Sequence, residues 1–177
     1  MSKSAPGYNR ISQLTHWASA LLILGMLGMG LAMTRIGEGE AQEVLYNAHV
    51  GAGLVTLALT AVRLVALVVH RWPSPPPGLS PANERAFIGT HILLYTLLIA
   101  LLASGIGTLV LSGLSLVPGS IVPADVENVP ARMAHDLLSK VFIALLLVHV
   151  AGVLRYQVGK GDTLGRMGVP WFSRSHE

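Results

Sequence analysis

The stretch ARMAHDLLSKVFIALLLVHVAG, residues 131–152, is mostly apolar yet carries two histidines, His135 and His149, fourteen residues apart. At 1.5 Å and 100° per residue, fourteen residues of α-helix climb about 21 Å and turn back to within about 40° of the starting direction. The spacing therefore predicts two imidazoles on one face of one helix, at two depths. A run of this kind is long enough to cross a membrane, which takes about 20 mostly apolar residues. Three other runs qualify, so four spans are predicted at 13–34, 46–69, 87–111 and 133–156.

The composition agrees with four spans. Of the 177 residues 52% are hydrophobic and only 12% charged, and the mean hydropathy is +0.60. A water-soluble domain has about 25% charged residues, so most of this surface does not face water. The pI of about 9.6 does not indicate a nucleic-acid binder, because the 12 basic residues are scattered between apolar runs rather than gathered on one face. The absence of cysteine excludes disulfides, thiolate zinc sites, iron–sulfur clusters and covalent haem attachment. The first apolar run follows a short basic tail without a convincing cleavage pattern and is expected to stay as a membrane anchor.

The breaks between spans set the topology. RIGEGEAQE (35–43) is acidic, HRWPSPPPGLSPANER (70–85) holds five prolines, and LSLVPGSIVPADVENVP (114–130) holds three. The last is expected to lie along the membrane surface. Four helices with such links predict an all-α, integral-membrane, up-down four-helix bundle, a single domain over 1–177. Lys3, Arg10, Arg71, Arg85, Arg155, Lys160, Arg166 and Arg174 fall on one side, against Arg35 and Arg132 in the opposite loops. Eight against two predicts both termini in the cytoplasm. The other side collects the acids Glu38, Glu40, Glu43, Asp125, Glu127 and Asp136.

Five of the seven histidines, His16, His49, His91, His135 and His149, fall inside spans; His70 and His176 read as solvated. One such histidine is as well explained by a hydrogen bond to a neighbouring helix, but five in four helices point to function. Chain direction alternates between spans, so depth pairs His16 with His149 near the inner surface and His49 with His135 near the outer. Adding fourteen to each remaining histidine gives Gly30, Arg63 and Gly105. The inner layer then holds His16, Arg63, His91 and His149, and the outer layer Gly30, His49, Gly105 and His135. Glycines aligned with histidine pairs leave room for a flat group against backbone, although each alone would suit ordinary close helix packing.

Three chemistries use paired histidines at two depths. Haem b takes two axial imidazoles, with Arg63 suited to the propionates of an inner haem and Arg132 and Lys140 flanking an outer one. A transition-metal transporter needs carboxylates or thiolates, and the spans offer only Asp136. A proton relay does not require pairing by depth.

The ordered set YNRISQLTHW (8–17), NAHVGAGLVTLALTAVRL (47–64), WPSPPP (72–77), THILLYTLLIALLASG (90–105), MAHDLL…LLLVHVAG (133–152) and GDTLGRM (161–167) resembles the bacterial cytochrome b561 family, small four-helix dihaem proteins of the inner membrane. The resemblance covers nearly the whole chain. It implies two haem b groups, ligated by His16 and His149 and by His49 and His135, with Arg63 beside the inner haem and His91 as a third-helix histidine that is not a ligand. It also implies electron exchange with ubiquinone and, for some members, oxidation of periplasmic superoxide with quinone as acceptor. Some relatives carry polar side chains two residues before the first ligand and seven after the last, near an inner quinone pocket. Here these are Leu14 and Tyr156, of which only Tyr156 can hydrogen-bond a quinone oxygen.

The expectation is a multi-pass superoxide:quinone oxidoreductase of the bacterial inner membrane, with quinone near Arg63, His91 and Tyr156 and superoxide near Arg132 and Lys140. The acidic outer side opposes an approaching anion at long range. It suits one alternative, electron delivery between quinol and a basic periplasmic redox partner; a haem-anchoring subunit of a larger dehydrogenase is another.

Overall fold

The computed structural model describes residues 7–70, 74–119, 121–159 and 161–169, with His70 described for its backbone alone. Lys3, Arg71, Lys160, Arg174 and His176, the start of the proline-rich linker, and the side chain of His70 lie outside the described residues. Within them the chain is helical, with no strand: α1 Arg10–Met33, α2 Glu40–His70, α3 Pro81–Leu111, α4 Pro130–Gly159 and a short α5 Thr163–Arg166. All four long helices are apolar enough to span a membrane. At 24, 31, 31 and 30 residues they run about 36 to 46 Å, beyond the roughly 30 Å hydrocarbon core. The predicted spans fall inside these helices except for Thr34, one residue past the end of α1, and the helices extend up to six residues beyond the spans.

Local chemistry sets the ends. Asn9 caps α1 by accepting from the Ser12 amide at 2.7 Å, and Ser80 caps α3 ahead of Pro81, which needs no amide partner in a first turn. Glu40 and Glu43 occupy the first turn of α2, where the helix dipole favours them. The α1–α2 turn ends at Gly39, whose φ of 144° only glycine adopts readily, and Gln42 ties the turn by donating to the Met33 and Ile36 carbonyls.

The four helices form two hairpins. α1 packs closely on α2 and α3 on α4, while α2 and α3 touch over a shorter stretch. Large apolar side chains such as Leu21, Val68, Leu147 and Val158 face outward, as a lipid solvent allows. The buried core is small and concentrated at one end, here the far end, where Met33, Tyr46, Leu109, Ile121 and Val126 meet. Residues 7–9, the described part of the α2–α3 linker and residues 161–169 share the other end, here the terminal end.

The α3–α4 connection is partly buried against the far end of the bundle. Leu116 and Val117 are exposed, but Ile121 and Val126 turn inward, and the 3-10 turn Pro123–Val126 packs on α2. The Asn47 side chain holds it there. Its Oδ1 accepts from the Gly119 and Ile121 amides at 2.6 and 3.2 Å, and its Nδ2 donates to the Ile121 and Glu43 carbonyls at 3.2 and 2.8 Å. Losing one such amide leaves several backbone groups unpaired, at a cost of about 1–3 kcal/mol. Asn47→Ala is expected to lower the thermal midpoint by about 5 °C and to speed proteolysis within residues 114–122. An unchanged midpoint would mean that the apolar contacts alone retain this connection.

Candidate cofactor site

The fourteen-residue layering is visible in side-chain geometry. His16, His49, His91, His135, His149 and Arg63 are all half-buried in the bundle. In the far layer the His49 ring on α2 faces the His135 ring on α4, with centroids 6.2 Å apart and planes at 83°. The two glycines stand behind these rings. A Cβ on Gly30 would lie 3.6 Å from the His49 ring, and one on Gly105 would lie 3.5 Å from the His135 ring. Each glycine thus leaves room for the imidazole beside it. An apolar cavity of about 230 Å³ adjoins this layer, lined by His49, His135, Gly30, Gly105, Phe142 and Ile121 among others.

The layer towards the terminal end is built differently. Arg63 on α2 donates through Nη2 to His16 Nδ1 at 3.2 Å, and its guanidinium lies over the Tyr95 ring, 5.4 Å from the centroid. His91 on α3 donates through Nδ1 to the Phe87 carbonyl one turn earlier at 2.7 Å. Its ring meets His149 edge-on at 5.1 Å. The ring touching His149 is therefore that of His91, while His16, the partner assigned by depth, lies within electrostatic range.

Imidazoles on opposite sides of one metal ion place their nitrogens about 2 Å from it, which separates the ring centres by about 6 Å. His49 and His135 meet that condition at 6.2 Å. Among the described residues no three His, Asp or Glu side chains gather around one point, as a bare transition-metal ion would need. Two imidazoles in an apolar setting instead suit an ion already held in the plane of a porphyrin. The far-layer pair fits haem b.

The flanking charges are arranged unequally. Arg132 donates to the Tyr46 hydroxyl at 3.1 Å and borders a polar cleft of about 430 Å³ together with Gln42, Glu127 and Asp136. Lys140 is bound to Asp136 at 2.7 Å on the surface, so its charge is locally matched. Of the two cations predicted to flank the far layer, Arg132 is the one directed into the bundle end.

At the terminal end, residues 161–169 fold back on α1. Tyr8 N and Gln13 Nε2 both donate to the Arg166 carbonyl, and Trp17 Nε1 donates to Met167 O at 2.9 Å. Asp162 caps α5, and Gly165 sits so close to it that a Cβ there would collide with the carboxylate. The Arg166 guanidinium stacks on the Tyr8 ring; burial raises the Tyr8 phenol above its usual pKa, opposed by that arginine. The Tyr156 hydroxyl donates to Pro77 O at 2.6 Å, so its proton secures the α2–α3 linker and only its lone pairs remain for a ligand. Leu14 faces outward.

Sequence reasoning missed Asn47, Tyr46 and Ser104. Ser104 is the informative omission: it adjoins Gly105 in the far layer, and a hydroxyl beside a layer position is a recognisable signal.

Comparison with known proteins agrees with this architecture. The family model described as prokaryotic cytochrome b561 matches residues 7–169. The chain is 27% identical over 169 residues to cytochrome b561 homolog 2 of Escherichia coli (strain K12), covering 90% of each protein. It is 30% identical over 164 residues to cytochrome b562 of Cereibacter sphaeroides, covering 90% of this chain and 92% of that one.

Proposed function

Since the chain belongs to the prokaryotic cytochrome b561 family, we propose that it is a dihaem oxidoreductase of the bacterial inner membrane, passing electrons between a periplasmic donor and ubiquinone. Membership by itself implies a multi-pass membrane protein with haem b and a role in transmembrane electron transfer. The observation that carries the finer reading is α4, which brings His135 to His49 at one depth and His149 to the His16, Arg63 and His91 group about 21 Å away.

Haem b supplies one-electron exchange at its iron. His49 and His135 would hold the far group, and His16 and His149 the other. Arg63 can release His16 to meet a propionate, because a guanidinium only donates. The excess of Lys and Arg around the terminal end supports a cytoplasmic placement for it. Ubiquinone is assigned to that end, near Arg63 and His91; a bond from Tyr156 to a quinone oxygen requires its hydroxyl to leave Pro77 O.

Superoxide is the proposed donor. Two superoxide anions leave as two dioxygen molecules, and one quinone takes up the two electrons with two protons to become quinol. Arg132, inside the polar cleft, is the residue suited to draw the anion in. On the haem-loaded protein, superoxide is expected to produce rapid reduction in the haem absorbance. Arg132→Gln should slow it about tenfold and weaken its dependence on salt. Absence of a response beyond that of a variant lacking both far-end histidines would exclude superoxide.

A second reading has its own support. The exposed acids Glu38, Glu40, Glu43, Asp125, Glu127 and Asp136 outnumber Arg35, Arg132 and Lys140 at the far end. That surface suits a cationic redox protein fed by quinol. Under this reading haem oxidation by a basic cytochrome slows steeply with salt, and a flat salt profile counts against it.

A further inference from the structure

The two far-layer imidazoles are held in unlike ways. His135 Nδ1 lies 3.0 Å from Ser104 Oγ and 3.0 Å from the Leu101 carbonyl, both on α3. The Ser104 hydroxyl spends its own proton on Leu101 O at 2.9 Å. Its oxygen can therefore only accept from the ring, and a carbonyl can only accept. Two acceptors on one nitrogen require that His135 Nδ1 carry the proton, which leaves the electron pair on Nε2. His49 Nδ1, by contrast, is buried without a hydrogen-bond partner among the described residues.

We propose that Ser104 is a positioning residue for the far-layer haem, fixing the tautomer and ring orientation of His135 and making it the more electron-rich of two unequal axial ligands. The inference rests on the reading of His49 and His135 as ligands. An acceptor on the remote N–H of a ligating histidine raises the ligand's basicity, and a more basic ligand favours the more highly charged, oxidised iron. Gly105 assists, because α3 must approach closely enough for its hydroxyl and carbonyl to reach across to α4.

The test uses the intact haem-loaded protein, with haem content, the midpoint potential of each haem and low-temperature electron paramagnetic resonance as readouts. Ser104→Ala should keep both haems and shift the far haem alone towards easier reduction. The expected change in its reduction equilibrium is up to tenfold, about 59 mV for a one-electron couple, with a matching change in its resonance signal. Ser104→Thr keeps the hydroxyl and should restore the original potential. If Ser104→Ala loses the far haem while Ser104→Thr retains it at the original potential, the positioning role stands. An unchanged or lowered potential in Ser104→Ala, or loss of the haem in both variants, overturns the proposal. His135→Ala on the same preparation separates the two levels: retention of both haems there would defeat the ligand assignment itself, whatever Ser104→Ala does.

Discussion

Replacing His135 with alanine is expected to remove one haem and leave the other with its spectrum and potential intact, so that haem per polypeptide falls by about half. His149→Ala should do the reverse. The expectation follows from the separation along α4. The two histidines stand about 21 Å apart on one uninterrupted helix, and changes more than about 10 Å apart with no shared partner act independently. Each also has its own surroundings. His135 touches Leu101 and Ser104 and faces His49, whereas His149 lies against His91. Haem content by pyridine haemochrome, combined with a redox titration, reads both effects. Equal loss of both haems from either single change would contradict two separate layers.

The second large effect is steric. Gly105→Leu is expected to abolish haem binding in the far layer, whereas Gly105→Ala should keep it. A Cβ at position 105 falls 3.5 Å from the His135 ring, which is ordinary contact, so one methyl fits. Leucine adds three more carbons in a space already taken by the ring. The imidazole would be driven from its bond to the Ser104–Leu101 pair and from its position opposite His49. Gly30→Leu should act in the same way through His49, 3.6 Å from its Cβ position. Retention of the far haem at its original potential in both leucine variants would show that the glycines do not shape the site.

Much of this was legible in the sequence because helix geometry is periodic. Composition marked the four spans, and the fourteen-residue step put Gly30 and Gly105 in one layer with His49 and His135, and Arg63 in the other with His16, His91 and His149; the pairwise contacts within each layer are structural findings. Four apolar helices long enough to span are present, and the ends were underestimated by several residues because polar turns such as Glu40–Glu43 and Pro81–Glu84 continue the helix beyond the oily run. What could not be read depends on contacts between segments remote in sequence. Asn47 is an unremarkable helix residue until Gly119 and Ile121, more than seventy positions away, bring their amides to it. The fold-back of 161–169 depends on carbonyls of Arg166 and Met167 meeting Gln13 and Trp17. Lys140 pairs at the surface with Asp136, one turn earlier. That i,i+4 pair was visible in the sequence and indicates how an isolated charge count overstates attraction.

The division into two hairpins bears on biogenesis. His16 and His49 belong to the first hairpin, His135 and His149 to the second. Under the proposed ligand pairs, neither layer is complete until the second hairpin has entered the bilayer and met the first. Helix docking and cofactor capture then become one linked equilibrium, in which haem acts as a crosslink between separately inserted halves. The protein's resistance to unfolding should rise with the logarithm of available haem, so a cell's haem supply would govern how much of the inserted chain survives.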